Sequence, residues 1–115
     1  MDLQVGLRHV GDEVVVVLAG VADLSTTPTL HQHLHRASAD HPGRTLVVDL
    51  DGLIALDDAA LGVLLGAAAH AREAGGDLAL VCTNDRLRAR LITTRLDRCI
   101  ALRDRITPAV GSDPA

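Results

Sequence analysis

The sequence contains no Phe, Tyr or Trp. With 48% hydrophobic residues, any core must be filled by Leu, Val, Ile and Ala, and no aromatic platform exists for stacking bases. Lysine is also missing, since all 11 basic residues are arginine. That excludes Schiff-base chemistry, a P-loop lysine and the late lysine of phosphoryl-accepting receiver domains. Positive charge is short overall: the formal net charge of −4 argues against a dedicated nucleic-acid binder. Two cysteines, Cys82 and Cys99, do not make a disulfide framework. The longest apolar or glycine run, Ala59–Ala69, falls far short of the roughly 20 residues that span a membrane. Met1–Gly6 lacks the basic start and apolar run of a secretory signal. One cytoplasmic domain of 115 residues, able to build a core without metal or disulfide, is the expectation.

What is present is a succession of short apolar runs and helical stripes. Leu3, Val5 and Leu7 alternate with polar residues or glycine, Val10-Gly11-Asp12 turns, and Val14–Ala19 returns as a β-branched run; together these predict a hairpin. Thr27 as cap with Pro28 behind it starts a helix. Its buried stripe is Leu30, Leu34 and Ala37, and His41-Pro42-Gly43 ends it. Leu46–Leu50 reads as a strand buried on both faces. A loop over Asp51–Asp57 with apolar anchors Leu53, Ile54 and Leu56 follows. Asp58 is then the predicted N-cap of a helix running to about Glu73 and stopped by Gly75-Gly76. Leu61, Leu64, Leu65 and Ala68 should face a core, while Gly62, Gly66 and Ala69 make a small face that another surface could approach closely. Leu78–Cys82 is a further strand, and Thr83-Asn84-Asp85 caps a helix from Arg86 to about Thr94, with Leu87, Leu91 and Ile92 inward. Ile100–Leu102 is a last short strand, and Thr107 to Ala115 reads as a turn and tail.

After the hairpin, strand and helix alternate, which implies right-handed crossovers and mostly parallel pairing. The predicted fold is α/β: a four- or five-stranded mixed sheet with an N-terminal hairpin and three to four helices, over residues 1–106, with 107–115 as the tail. The carboxyl ends of parallel strands gather on one rim, where sites form. That rim should hold Asp23, Asp51, Asp57, Asp58 and Asp85 with Ser25 and Thr26, an acidic, hydroxyl-bearing edge.

Two segments carry a resemblance. Asp57-Asp58-Ala59-Ala60-Leu61-Gly62, behind a strand and ahead of an apolar helix ending in Gly75-Gly76, resembles the signature of STAS domains, whose pattern there is Asp-Ser-Ser/Thr-Gly-Leu-Gly. Gly20-Val21-Ala22-Asp23, with Thr26, Pro28 and Leu30, is similar to the family's Gly-Glu-Leu/Ile-Asp segment. The family includes bacterial anti-sigma-factor antagonists and modules attached to anion transporters. The resemblance covers about residues 3–106 and implies the α/β fold above. It also implies docking on an anti-sigma factor with serine-kinase activity. The implied surface is the loop Gly20–Thr26, the loop Leu56–Asp58 and the first turns of the following helix, including Ala59, Ala60 and Gly62. The phosphorylated serine of such antagonists is matched by Asp58, the next hydroxyl residue by Ala59 and the family glycine by Ala60. The phosphorylation motif is thus degenerate, and the implied state resembles the phosphorylated, partner-released form. An accessory subunit of a transporter ATPase and a small-molecule or nucleotide-binding module are the alternatives.

Other constellations carry less. The acidic rim lacks the acidic pair and lysine of a receiver domain, so its carboxylates are expected to cap and to recognise a partner rather than to hold metal. His31 and His35 have the i, i+4 spacing of zinc pairs, with His33 between them. No Glu or Cys completes a site, so solvated surface is the reading adopted. Cys82 ends one strand and Cys99 starts the next, placing them on the order of 15 Å apart as two buried small residues. Seven of the 11 arginines fall between Arg86 and Arg105; without aromatics this is expected to be a solvated basic face. No nucleophile–base arrangement, phosphate loop or paired Glu points to an enzyme, and no cofactor is implied.

Overall fold

The structure, a computed structural model, describes residues 2–104. The expected boundary near residue 106 and the tail 107–115 lie outside the described residues. The alternating hairpin sequence forms β1 (Leu3–Val10) and β2 (Glu13–Ala22), paired antiparallel. The helix opened by Pro28 is α1 (Thr27–Asp40), entered through a 3-10 turn at Leu24–Thr26. Then come β3 (Thr45–Leu56), α2 (Asp58–Glu73), β4 (Asp77–Val81), α3 (Asp85–Thr93) and β5 (Ala101–Arg103). The sheet order is β1-β2-β3-β4-β5, with every pair after the first parallel, so the mixed five-stranded sheet and N-terminal hairpin are as expected.

The period of two along the strands divides the core. Val14, Val16 and Leu18 of β2, Leu46, Val48 and Leu50 of β3, and Leu78 and Leu80 of β4 face the helices. They pack against Leu30 and Leu34 of α1, Leu61 and Leu64 of α2, and Leu87 and Leu91 of α3. Val15, Val47 and Val81 form a smaller cluster on the opposite face. Complete burial of each such side chain contributes about 1.5–3 kcal/mol. Aliphatic residues at this density suffice where no ring is available.

Four expectations are corrected by the packing. The segment Asp51–Leu56 is not a loop: β3 continues through it alongside β2, with register shifts beside Ala19 and Gly20. Gly52 permits this close passage, since a Cβ there would lie 2.6 Å from the Leu18 carbonyl oxygen. Pairing with β4 stops at Asp49–Val81, so the last turn of β3 projects beyond its other neighbour. Leu65 and Ile92 point outward, 39% and 51% exposed, because each lies one step past the edge of its helix's buried stripe. Thr26 rather than Thr27 precedes α1, and it makes no side-chain cap bond to that helix. The last strand begins at Ala101, because the 3-10 turn Leu96–Arg98 occupies the preceding chain.

Gly75 ends α2 as expected. It holds φ +85°, a left-handed conformation that costs glycine little, while the Gly76 N–H returns to the Ala71 carbonyl at 2.9 Å.

Candidate functional site

The carboxyl ends of β2 and β3 bring two loops to one rim. After β2, Asp23 caps the 3-10 turn: its Oδ1 accepts from the Ser25 N–H at 3.0 Å, the Ser25 hydroxyl at 2.6 Å and the Thr26 N–H at 3.2 Å. Thr26 answers, with Oγ1 accepting from the Asp23 N–H at 2.9 Å and donating to the Val21 carbonyl at 3.0 Å. The Ser25 hydroxyl bond, helped by the two N–H donors, holds the Asp23 carboxyl below its ordinary range.

After β3, Asp57 takes the capping role expected of Asp58. It has extended backbone angles, and its Oδ1 accepts from the Ala60 N–H at 3.1 Å. Its Oδ2 accepts from the Leu24 N–H at 3.1 Å, and its own N–H donates to the Ala22 carbonyl at 3.0 Å. One carboxylate therefore caps α2 and ties both rim loops together. Asp58 becomes the first helical residue, with its side chain 86% exposed.

Of the residues expected to meet a partner, Asp23, Ser25, Asp57, Asp58, Ala59 and Gly62 reach the rim surface or its edge. Ala60 is fully buried and Thr26 nearly so; they hold the loops in place and do not line the surface. Leu24 and Ile54, 73% and 64% exposed, stand beside them, so Ile54 is an outward apolar group and not the loop anchor expected of it.

The rim is also less acidic than its sequence. Arg90 of α3 reaches Asp58 Oδ1 at 2.6 Å, and Arg86 donates to the Ile54 carbonyl at 3.1 Å. Asp51 is committed to the β4–α3 loop, accepting from the Thr83 N–H at 2.6 Å and hydroxyl at 3.0 Å. Asp85 opens α3, whose cap is Asn84. The solvated face expected for these arginines is instead, at Arg86 and Arg90, a pair of contacts to the rim; in the sequence only their i, i+4 spacing on a helix that starts at this rim points to that role.

The cysteines are free, Cys82 buried and Cys99 exposed, which corrects the expectation that both are buried. Burial pushes the Cys82 thiol above its ordinary range. The small face of Gly62, Gly66 and Ala69 is exposed, and a Cβ at either glycine would meet nothing within 4 Å. No helix among the described residues is long and apolar enough to cross a membrane.

A crystallised anti-sigma factor antagonist from Mycobacterium paratuberculosis is similar to this chain, with TM-score 0.84 and 23% identity over 96% of this chain and 93% of that one. The Bacillus anti-sigma factor antagonist SpoIIAA in its unphosphorylated form gives TM-score 0.72 at 16% identity, covering 95% and 92%. Part of the murine anion transporter Slc26a9 gives TM-score 0.67 at 13% identity, covering 82% of this chain and 16% of the transporter. At these identities the likeness is one of fold. No curated protein matches the sequence. The family model described as "Mlab, STAS domain" matches residues 5–106, a span that holds both rim motifs and the whole sheet except the first two residues of β1, and the chain accordingly belongs to the STAS domain family.

Proposed function

We propose that this protein is a regulatory protein-interaction module of the anti-sigma-factor-antagonist kind, acting without catalysis or cofactor of its own in the cytoplasm. Its partner in this reading is an anti-sigma factor with a serine-kinase fold, which the rim is shaped to meet and which the charge at Asp58 keeps weakly held. The observation that carries the reading is the double use of Asp57, which joins the Asp23–Thr26 turn and the start of α2 into one surface. Exposed Leu24 and Ile54 flank that surface, and apolar groups beside a polar rim suit a protein partner.

At the position that resembles the family's phosphoserine, Asp58 carries a fixed charge held by Arg90. A phosphate would add roughly −1.5 to −2 at this helix N-terminus; the carboxylate supplies a smaller permanent charge that no kinase or phosphatase can change. The domain therefore rests in one state, resembling the phosphorylated, partner-released form.

Asp58→Ser tests this against serine-kinase anti-sigma factors of the same genome, by calorimetry and phosphate incorporation. The wild type should bind weakly and stay unphosphorylated. The variant should bind more tightly, because an unfavourable buried charge at an interface costs up to several kcal/mol, and it should accept phosphate within reach of Arg90. Tight wild-type binding that Asp58→Ser weakens would make the carboxylate a recognition group, and phosphate on Ser25, Thr26 or Thr27 would move the switch to the neighbouring turn. Capture of a transporter ATPase, with no kinase bound by either form, would replace this reading with the accessory-subunit one.

A further inference from the structure

The two edges of the sheet differ in length. β5 has three residues, whereas β1 has eight and takes the outermost place in the strand order. Among the described residues nothing pairs with its outer side. Natural edge strands discourage further pairing with lysine, proline or a bulge; β1 has neither residue, and its register with β2 is unbroken. The Asp2 carbonyl accepts from the N–H of Val21, the residue opposite it when that register is extended by one. Bonded and non-bonded pairs alternate along an antiparallel ladder, so the even-numbered residues of β1 bond to β2. Leu3, Val5, Leu7 and His9 turn their N–H and carbonyl groups outward.

We propose that β1 is a self-association edge, at which a second copy of this chain adds its own β1 antiparallel about a two-fold axis through Gly6. Leu3 then faces His9 and Val5 faces Leu7, in both directions, while Gly6 faces its own counterpart. All four outward-turned positions oppose one another, at two bonds per pair and about eight in all. A two-fold at Leu7 would oppose only Val5 with His9 and Leu7 with itself, for about six bonds.

The side chains suit the same register. Val5 packs against the core and Leu7 is 52% exposed; across the axis these two and their counterparts make one apolar cluster. They border a depression of about 200 Å³ between β1 and α1, walled by Arg36, Ala37 and Asp40. Arg36 and Asp40 are exposed, and neither side chain has a hydrogen bond or ion pair among the described residues. His9 lies against His41 just past the end of α1, with ring centres 5.1 Å apart, so α1 runs beside β1 in the same direction. The two-fold therefore sets the two α1 helices antiparallel and brings Arg36 of each copy to the side of Asp40 of the other. On the opposite face Arg8 meets Gln4, so no like charges are opposed. The two rims point in opposite directions and both stay open.

One strand and one row of side chains bury less than the roughly 800 Å² per partner of a standard interface, so the test is sedimentation equilibrium of the untagged chain over about 1–500 µM. A reversible monomer–dimer equilibrium is expected. Leu7→Pro removes two inter-copy donors and no bond to β2, and should raise the dissociation constant about tenfold. Arg36→Asp should weaken the dimer, and the double variant Arg36→Asp with Asp40→Arg should restore it. Cysteine linkage reads the register, in a Cys99→Ser background where only buried Cys82 remains. Gly6→Cys places two thiols at a non-bonded pair with Cα atoms about 4.5 Å apart, within the disulfide range of about 4.4–6.8 Å. Its Cβ meets only the Val17 Cβ, at 4.0 Å. Mild oxidation should link that variant as a dimer. Gln4→Cys, whose two copies would lie roughly 14 Å apart, should stay unlinked. Circular dichroism verifies that the variants fold. A monomer throughout the range would overturn the pairing and leave the edge to an extended segment of another protein. A dimer indifferent to Leu7→Pro, or equal linkage of Gly6→Cys and Gln4→Cys, would overturn it as well.

Discussion

Adjacent aspartates at the start of α2 differ sharply in what they hold, and replacing each in turn separates the roles. Asp57→Ala removes the N-cap, worth about 1 kcal/mol within a range of 0.5–2. It also removes the acceptor of the Leu24 N–H. Leu24 is exposed, so its freed N–H can turn to water and the second loss stays near the lower end of about 0.5–1.5 kcal/mol. The sum is about 1.5–2 kcal/mol, which for a domain of this size lowers the thermal midpoint by roughly 6–15 °C. Asp58→Ala removes an ion pair whose carboxylate is 86% exposed; such pairs contribute about 0–1 kcal/mol and weaken with salt. Asp57→Asn should recover most of the stability lost in Asp57→Ala, because Asn caps as well as Asp. Thermal and urea denaturation of the three variants, followed by far-ultraviolet circular dichroism at low and high salt, measure all of this. Equal destabilisation by Asp57→Ala and Asp58→Ala, or an Asp57→Asn variant as weak as Asp57→Ala, would refute the assignment of the cap.

Gly52→Ala should destabilise by about 1–3 kcal/mol, since its Cβ would press on the Leu18 carbonyl 2.6 Å away; Gly62→Ala, with open space around its Cβ, should instead stabilise by up to about 1 kcal/mol through helix propensity. Both are read by the same denaturation assay. A thiol reagent should label Cys99 alone in the native protein, and Cys82 only after unfolding, as their burial dictates; mass spectrometry of the adducts decides. Asp77 has its carboxyl held below the ordinary range, chiefly by the Leu78 N–H and then by Arg72. A depressed folded-state value means its stabilisation is present above the ordinary aspartate range and is lost as pH falls through and below it. Asp77→Asn should therefore flatten the loss of stability in acid, and an unchanged acid profile would contradict this.

The hairpin, the buried strand at Leu46–Leu50 and the three helices were legible because each rests on a periodicity or a cap within a few residues. The continuation of β3 was not, because Asp51-Gly52 looks like a turn signal, whereas Gly52 is present to let the Leu18 backbone approach. Leu65 and Ile92 satisfy the helical period but lie just past the buried arc, and an arc's edges depend on what packs against it. Two aspartates in a row leave the cap undetermined until the strand's last residue is known. Arg90 with Asp58, and His70 with His35, join residues more than 30 positions apart, a pairing that no local pattern encodes. The rim motifs lie on two loops that the fold brings together, yet which of their members face outward depended on packing: Ala60 and Thr26 turned inward.

The strand order 1-2-3-4-5 has a consequence for how the molecule is made. Each new strand adds to the edge left by the one before it, so no strand has to be threaded between two that are already paired. Synthesis from the N-terminus can then extend the sheet step by step, each crossover helix covering the strand just laid down. Sequence-adjacent pairings keep loop-closure costs low, which favours rapid folding for a largely parallel sheet. The growing edge is the exposed one at every stage, and β5, the last strand among the described residues, is only three residues long, an edge too short to recruit another chain.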